Sequence, residues 1–452
     1  MNKYPKYKPS GVEWIGEIPE HWDVKRLKYS DEIIMGQSPS SADYSYVENG
    51  FPFIQGNAEF TEFHPEPKLW CSSTNKFALI DDILLSVRAP IGAVNIADQK
   101  IGIGRGLCSI RPKLHHKKYL YYFILYSTDE LNSIGTGSTY TAISAEEVEN
   151  LFSLNPYVEE QTAIANFLDK KTSQIDKLIT NKQKLIELLK VERTAVINQA
   201  VTRGISPNVK LKNSKLEWLG DIPVHWEVKK LKYISNIQSS NVDKKSFDDE
   251  IEILLCNYND VYKNEFIDDS FNFMKATATD KEIDKFILKQ DDVLITKDSE
   301  TPDDIANPAF VTQDFDNVIC GYHLAHIRTN KNKLLGEFLF RLFQSKKLNS
   351  HFEVSANGVT RFGLPLDSIT DVKIPFPSVE EQTQIVQHIE SETKRIDTTI
   401  SKIEKEIELL REYRTALISE VVTGKLCVYT NHTNQENQKN QSEDRIPYSI
   451  NK

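Results

Sequence analysis

Two long stretches of this chain repeat apolar residues every seven positions and contain neither proline nor glycine. Over 380–423 one seam runs through Ile389, Ile396, Ile403, Leu410 and Leu417, with Val386, Ile400, Ile407 and Val421 beside it. Over 159–201 the matching residues are Leu168, Ile175, Leu189 and Val196, flanked by Ile179, Ile186 and Ala200. This first seam tolerates Lys182 and Arg193. Heptads sustained over four or five repeats predict a coiled coil. Each run opens shortly after a proline, Pro156 or Pro377, and Ser378-Val379-Glu380-Glu381 predicts a capping box. Gly204 and Gly424 are the predicted stops. Two such helices in one chain pair most economically with each other, antiparallel, and about 44 residues would reach roughly 65 Å.

The regions at about 31–155 and 234–376 follow another pattern. Short apolar or alternating runs are bounded there by Gly, Asn, Ser and Thr, which predicts strands and turns. Asp81-Asp82-Ile83-Leu84-Leu85-Ser86-Val87 and Asp291-Asp292-Val293-Leu294-Ile295-Thr296 are strands in matching places, and a continuous strand is expected over 318–328. A few helices, near 119–126 and 335–348, complete each region. The predicted class is α+β: two β-rich domains alternating with two long helices that pair as an antiparallel coiled coil, in an internal pseudo-twofold repeat.

The repeat is visible in the residues themselves. Glu13-Trp14-Ile15-Gly16-Glu17-Ile18-Pro19-Glu20-His21-Trp22-Asp23-Val24-Lys25-Arg26-Leu27-Lys28-Tyr29 returns, 204 positions later, as Glu217-Trp218-Leu219-Gly220-Asp221-Ile222-Pro223-Val224-His225-Trp226-Glu227-Val228-Lys229-Lys230-Leu231-Lys232-Tyr233. Glu159-Glu160-Gln161-Thr162 returns as Glu380-Glu381-Gln382-Thr383 at an offset of 221, and Arg193-Thr194-Ala195 as Arg414-Thr415-Ala416. The order is a variable region, a well-matched region, then both again. A duplicated scaffold with divergent intervening regions is the pattern of a protein that reads two different things.

Composition narrows the class. Lys and Arg number 55 against 65 Asp and Glu, a net charge of −10, so the chain is not coated in basic residues that cling to any nucleic acid. The five cysteines (Cys71, Cys108, Cys256, Cys320, Cys427) are widely spaced and form no CxxC, which suggests neither a disulfide framework nor a zinc ribbon. No membrane-length apolar run is present, the opening Met1-Asn2-Lys3-Tyr4-Pro5 is not expected to begin a signal peptide, and a cytoplasmic setting is expected.

Catalytic motifs fail on inspection. Asn155-Pro156-Tyr157 and Asn307-Pro308-Ala309-Phe310 are incomplete versions of the site that holds a flipped base in amino-methyltransferases. Gly358-Val359-Thr360-Arg361-Phe362-Gly363 has P-loop spacing, but Leu364 stands where a lysine is required. Cys320, His323 and His326 would not converge from one strand, since 323 faces away from the other two. His21 and His225, beside Trp and Pro in both copies, are read as braces.

The signature Ser10-Gly11-Val12-Glu13-Trp14-Ile15-Gly16-Glu17-Ile18-Pro19-Glu20-His21-Trp22, the Glu-Glu-Gln-Thr helices and the ending Arg414-Thr415-Ala416-Leu417-Ile418-Ser419-Glu420-Val421-Val422-Thr423-Gly424-Lys425-Leu426 resemble the specificity subunit of type I restriction–modification systems. Leu85-Ser86-Val87-Arg88-Ala89-Pro90-Ile91-Gly92 and Gly137-Ser138-Thr139 add to it. The resemblance implies target-recognition domains at 1–155 (signature 13–29) and 208–376 (signature 217–233). Spacer helices would occupy 156–207 and 377–428, and a polar tail, expected to be disordered, 429–452. It implies a non-catalytic reader of a split DNA target, one half-site per domain, with the helices as the measure between them. Two methyltransferase subunits would dock on it and recruit two restriction subunits. S-adenosylmethionine, ATP and Mg would belong to those partners, with no cofactor or metal in this chain. The alternatives are a stand-alone DNA adenine methyltransferase or nuclease, and a coiled-coil scaffold that binds no DNA.

Candidate DNA contacts follow from side-chain chemistry. Arg reads guanine, Asn and Gln read adenine, and Lys, Arg, Ser and Thr hold phosphates. In the first domain these are Gln55, Asn57, Arg88, Arg105, Ser138, Thr139 and Tyr140; in the second, Asn257, Lys297, Tyr322, His323, Thr360 and Arg361. The helix-pairing residues are Ile175, Ile179, Ile186, Leu189, Val196, Ile396, Ile400, Ile403, Ile407, Leu410 and Leu417.

Overall fold

The computed structural model describes residues 3–135 and 142–429. Ser138, Thr139, Tyr140 and the tail from 430 onward therefore lie outside the described residues. The two proline- and glycine-free runs are helices, α1 (Val158–Arg203) and α2 (Val379–Val422). Each ends at a glycine with φ +72°, Gly204 and Gly424, the left-handed stop that a Cβ would disfavour. Only half of the expected capping box forms on α2. Ser378 Oγ accepts from the Glu381 amide at 3.3 Å, while the Glu381 carboxylate goes to His225.

The chain divides into two compact units, Met1–Asn181 with Glu406–Lys452, and Lys182–Lys405. Each contains one β-rich domain and a portion of both long helices. In the first unit Asp31–Met35, Leu107–Pro112, Ile83–Ser86 and Val94–Ile96 form an antiparallel sheet. In the second, Ser235–Ser239, Leu324–Thr329 and Asp292–Thr296 repeat the first three strands in the same order. Each unit has a second sheet with one parallel pairing, Phe51–Ile54 with Ile101–Ile103 and Ile251–Cys256 with Val318–Cys320.

Two expectations change. The strand predicted over 318–328 is two strands in different sheets, because His323 takes φ +72° and turns the chain between Cys320 and Leu324. The helix predicted over 335–348 is two helices, Gly336–Phe343 and Lys346–Ser355. Between them the fully buried Ser345 donates to Asn198 Oδ1 at 2.7 Å, fixing the break against α1.

Trp22 and Trp226 are fully buried, each against a helix end. A Cβ on Gly424 would lie 3.0 Å from the Trp22 ring, and one on Gly204 3.4 Å from that of Trp226. Neither indole N–H has a hydrogen-bond partner, so the rings are kept for the apolar area they bury. The histidines are braces as expected. His21 Nε2 lies 2.9 Å from Glu160 Oε2, and His225 Nε2 lies 2.9 Å from Glu381 Oε2. The next motif residue is a second brace. Buried Gln161 accepts from the His116 amide at 2.6 Å and donates to Pro156 O, and Gln382 likewise accepts from Leu335 and donates to Pro377 O.

The helices run antiparallel, and each unit repeats one ion pair from equivalent residues. Arg414 Nε meets Asp176 at 3.0 Å in the first unit, and Arg193 Nε meets Asp397 at 3.1 Å in the second. In the first unit Ile175, Ile407 and Leu417 are buried and Ile179 and Leu410 half-buried; in the second Ile186, Leu189, Ile396 and Ile403 are buried and Ile400 half-buried. The strict heptad lapses at the end of α1, where Ile197 rather than Val196 enters the core. The shift follows from 3.6 residues per turn over a packed domain surface.

Candidate nucleic-acid interface

In the first unit several strand ends meet. Gly36 donates to Leu107 O at 2.9 Å, Gly106 to Gln55 O at 3.2 Å and Val87 to Gly106 O at 2.9 Å. The crossing is tight enough to require glycine, since a Cβ on Gly36 would fall 2.1 Å from Gly104 O. These bonds set Gln55, Arg88 and Arg105 along one edge, all exposed, with half-buried Asn57 opening the turn Asn57–Glu59. The edge also includes exposed Gln37 and half-buried Ser38, whose Oγ accepts from the Arg105 amide at 3.1 Å. Sequence reasoning missed both. The available signal was their position immediately after a strand and a glycine.

The second unit repeats much of this backbone pattern from different residues. Ser240 donates to Leu324 O at 3.1 Å and Lys297 to His323 O at 2.9 Å, while Gly321 donates to Cys256 O at 2.9 Å as Gly104 does to Ile54 O at 2.8 Å in the first unit. Tyr322-His323 thus takes the place of Arg105-Gly106, and Lys297 the place of Val87. Leu364 donates to Lys297 O at 2.8 Å, and Asp298–Ser299 pairs with Phe362–Gly363, drawing in the hairpin that carries Thr360 and Arg361, both exposed. Its tip holds Val359, 91% exposed, which sequence reasoning also missed.

The predicted residues here differ in what remains free. Asn257 precedes the helix Tyr258–Lys263; its backbone amide donates to Asp260 Oδ2 at 2.7 Å and its side-chain Nδ2 donates to Leu255 O at 3.4 Å. Lys297 Nζ donates to Ser239 Oγ and lies 5.4 Å over the Tyr322 ring. Tyr322 is half exposed, and His323 Nδ1 meets Asp298 Oδ2 at 2.5 Å with Arg361 Nη2 3.4 Å away. Asn257, Tyr322 and His323 line a cavity of about 420 Å³ with Tyr258, Asn259 and Lys244.

Below each edge a buried aspartate supports the sheet. Asp82 receives Arg111 Nη2 at 3.0 Å and Ser109 Oγ at 2.8 Å; Asp292 receives Arg328 Nη2 at 2.7 Å and His326 Nε2 at 2.8 Å. Burial alone would raise the Asp292 carboxyl, but the bonds from Arg328 and His326 outweigh it and hold the group below the usual carboxylate range. These acids are structural. Among the described residues, no three His, Cys, Asp or Glu side chains gather to hold a metal ion, and no helix is long and apolar enough to cross a membrane.

The arrangement presents two exposed edges on one backbone plan, amide- and arginine-rich in the first unit, aromatic, basic and acidic in the second. A family model described as the type I restriction modification DNA specificity domain matches residues 19–189 and 223–409. A putative type I restriction enzyme MjaX specificity subunit of Methanocaldococcus jannaschii is 39% identical over 196 residues, spanning 42% of this chain and 45% of that protein. The MjaIX specificity subunit of the same organism is 28% identical over 92% of this chain and 95% of its own length. Among solved structures, a chain from a study of assembly and conformational transition of the type I R-M system gives a TM-score of 0.69 at 14% identity, over 90% of this chain and 99% of that one. The HsdS subunit of Thermoanaerobacter tengcongensis gives 0.53 at 14% identity, over 90% and 98%. At such identity these two structures establish the fold.

Proposed function

From the premise that this chain belongs to the type I restriction modification DNA specificity family, we propose that it reads a bipartite DNA target, one half-site per unit, as the non-catalytic specificity subunit of its assembly. The observation that carries this reading is the pair of edges. Equivalent backbone positions hold Arg105-Gly106 in one unit and Tyr322-His323 in the other, so one scaffold offers two different base-reading surfaces. The two paired helices measure the spacing between half-sites.

The partners in this proposal are double-stranded DNA, two methyltransferase subunits, and two restriction subunits recruited through them, in the cytoplasm. S-adenosylmethionine, ATP and Mg act on the partners, and this chain holds no cofactor. Leu188 and Leu409, equivalent residues of the repeat, are 66% and 51% exposed, and an apolar residue left uncovered twice at the same helical position suits a partner that docks twice. The test is to co-express the chain with its methyltransferase subunit and map methylated adenines across a genome. A single split motif is expected. A continuous motif, or methyl transfer by the isolated chain given a methyl donor, would overturn the reading.

A further inference from the structure

We propose that His323, oriented by Asp298, is a specificity-determining residue of the second unit and accepts a hydrogen bond from the exocyclic amino group of adenine or cytosine. The inference rests on the DNA-reading function above and deepens it.

Three observations converge on this residue. His323 holds a left-handed backbone with φ +72°, uncommon for a non-glycine residue although histidine is among those that adopt it most readily, at the turn between two sheets. That turn bonds to the other strand ends of the edge through Lys297 N and Tyr322 N, the latter donating to Val242 O at 2.7 Å. A non-glycine residue held in this region by its surroundings is a candidate functional position. Second, the ring is fixed on two sides. The Tyr322 ring centroid lies 4.0 Å away at 60°, and Asp298 Oδ2 lies 2.5 Å from Nδ1. Third, the residue borders an open cavity beside Tyr322 and Lys244 rather than a packed core.

The chemistry follows from the proton count. A carboxylate oxygen that close to Nδ1 requires a proton between them, so Nδ1–H donates to Asp298. In the neutral ring Nε2 then carries only a lone pair. Arg361 Nη2 lies 3.4 Å from the same nitrogen, so a positive charge already stands beside the ring. In the major groove an acceptor meets a donor only at adenine N6 or cytosine N4; guanine and thymine present acceptors at that place. The surrounding loop excludes the other use of such a site. Glu300, Asp303 and Asp304 follow Asp298, and a phosphate brought here would be repelled.

The test uses the full assembly and two variants. Asp298→Asn keeps the shape but frees the tautomer, so that Nε2 can carry the proton and donate. His323→Asn tolerates the left-handed backbone and shortens the acceptor. In the methylome, wild type should require adenine or cytosine at one position of one half-site. Both variants should lower that discrimination by roughly tenfold, leaving the other half-site unchanged. Asp298→Asn should in addition admit guanine or thymine there. An unchanged motif in both variants would overturn the inference while the bipartite reading stands. So would equal loss at both half-sites in variants that still co-purify with the methyltransferase. A wild-type complex with no split motif would instead sink the underlying function.

Discussion

Glu337 carries an unfavourable charge within the second unit. Burial, then a hydrogen bond and repulsion from Glu390, push its carboxyl up to about 7. A carboxyl raised in the folded state is ionised first in the unfolded chain, so stability falls as pH rises from about 4.3 to 7. Glu337→Gln should flatten that slope and add about 1 kcal/mol at pH 7.5 after screening, measured by urea unfolding across pH. Asp292 acts in the opposite sense. Its lowered carboxyl contributes stability that is complete above about pH 4 and lost as pH falls through its folded value, and Asp292→Asn should remove that acid limb. Few such residues were legible in the sequence. Asp81-Asp82 and Asp291-Asp292 stood out as pairs, but only the sheet register, which sets Asp292 opposite Arg328, shows that the second of each pair is a buried anchor. Gln37, Ser38 and Asp298 escaped notice because the bonds that join them to the edge link residues far apart in sequence.

Elements differed in how plainly the chain declared them. The long helices were readable because an apolar repeat of about 3.5 residues runs through most of each, with a proline before the start and a glycine after the end. Many strands are only two to six residues long, and a period of two over so short a span does not separate from chance. The 318–328 error shows the limit: alternation alone could not reveal that His323 turns the chain into another sheet. Since each buried tryptophan closes a helix end within its own unit, Trp22→Ala and Trp226→Ala should each destabilise one unit by about 3–5 kcal/mol. Calorimetry should resolve two transitions in either variant, the lower one belonging to the unit that lost its ring. The ion pairs are smaller contributors. Arg414→Ala should cost about 1 kcal/mol, and Arg193→Ala somewhat more because Arg193 also binds Glu265 at 2.9 Å.

For the molecule as a whole, charge and repeat together set the expected behaviour. The net charge of −10 is unevenly placed: 159–203 holds 8 basic and 6 acidic residues, 380–424 holds 6 and 10. With so little general attraction to phosphate, the isolated chain should bind its target weakly, with a shallow dependence on added salt. The assembly with its methyltransferase should bind tightly at the same salt, as a titration by fluorescence anisotropy would show. If the helices measure the half-site spacing, deleting one heptad from each, 7 residues within 175–200 and 7 within 396–421, should alter the spacer of the methylated motif. An unaltered spacer would refute the measuring role.

The first unit is assembled from the two extremes of the chain, and Tyr7 donates to Gly424 O across a separation of 417 residues. On the ribosome this creates an order of events. The second unit, continuous from Lys182 to Lys405, has all its parts before synthesis ends, whereas the first, begun earlier, must wait for the last helical turns. Released chains truncated after residue 405 should therefore protect the second unit from protease and leave the first open, with the apolar pocket around Trp22 uncovered. The half made first is the half finished last.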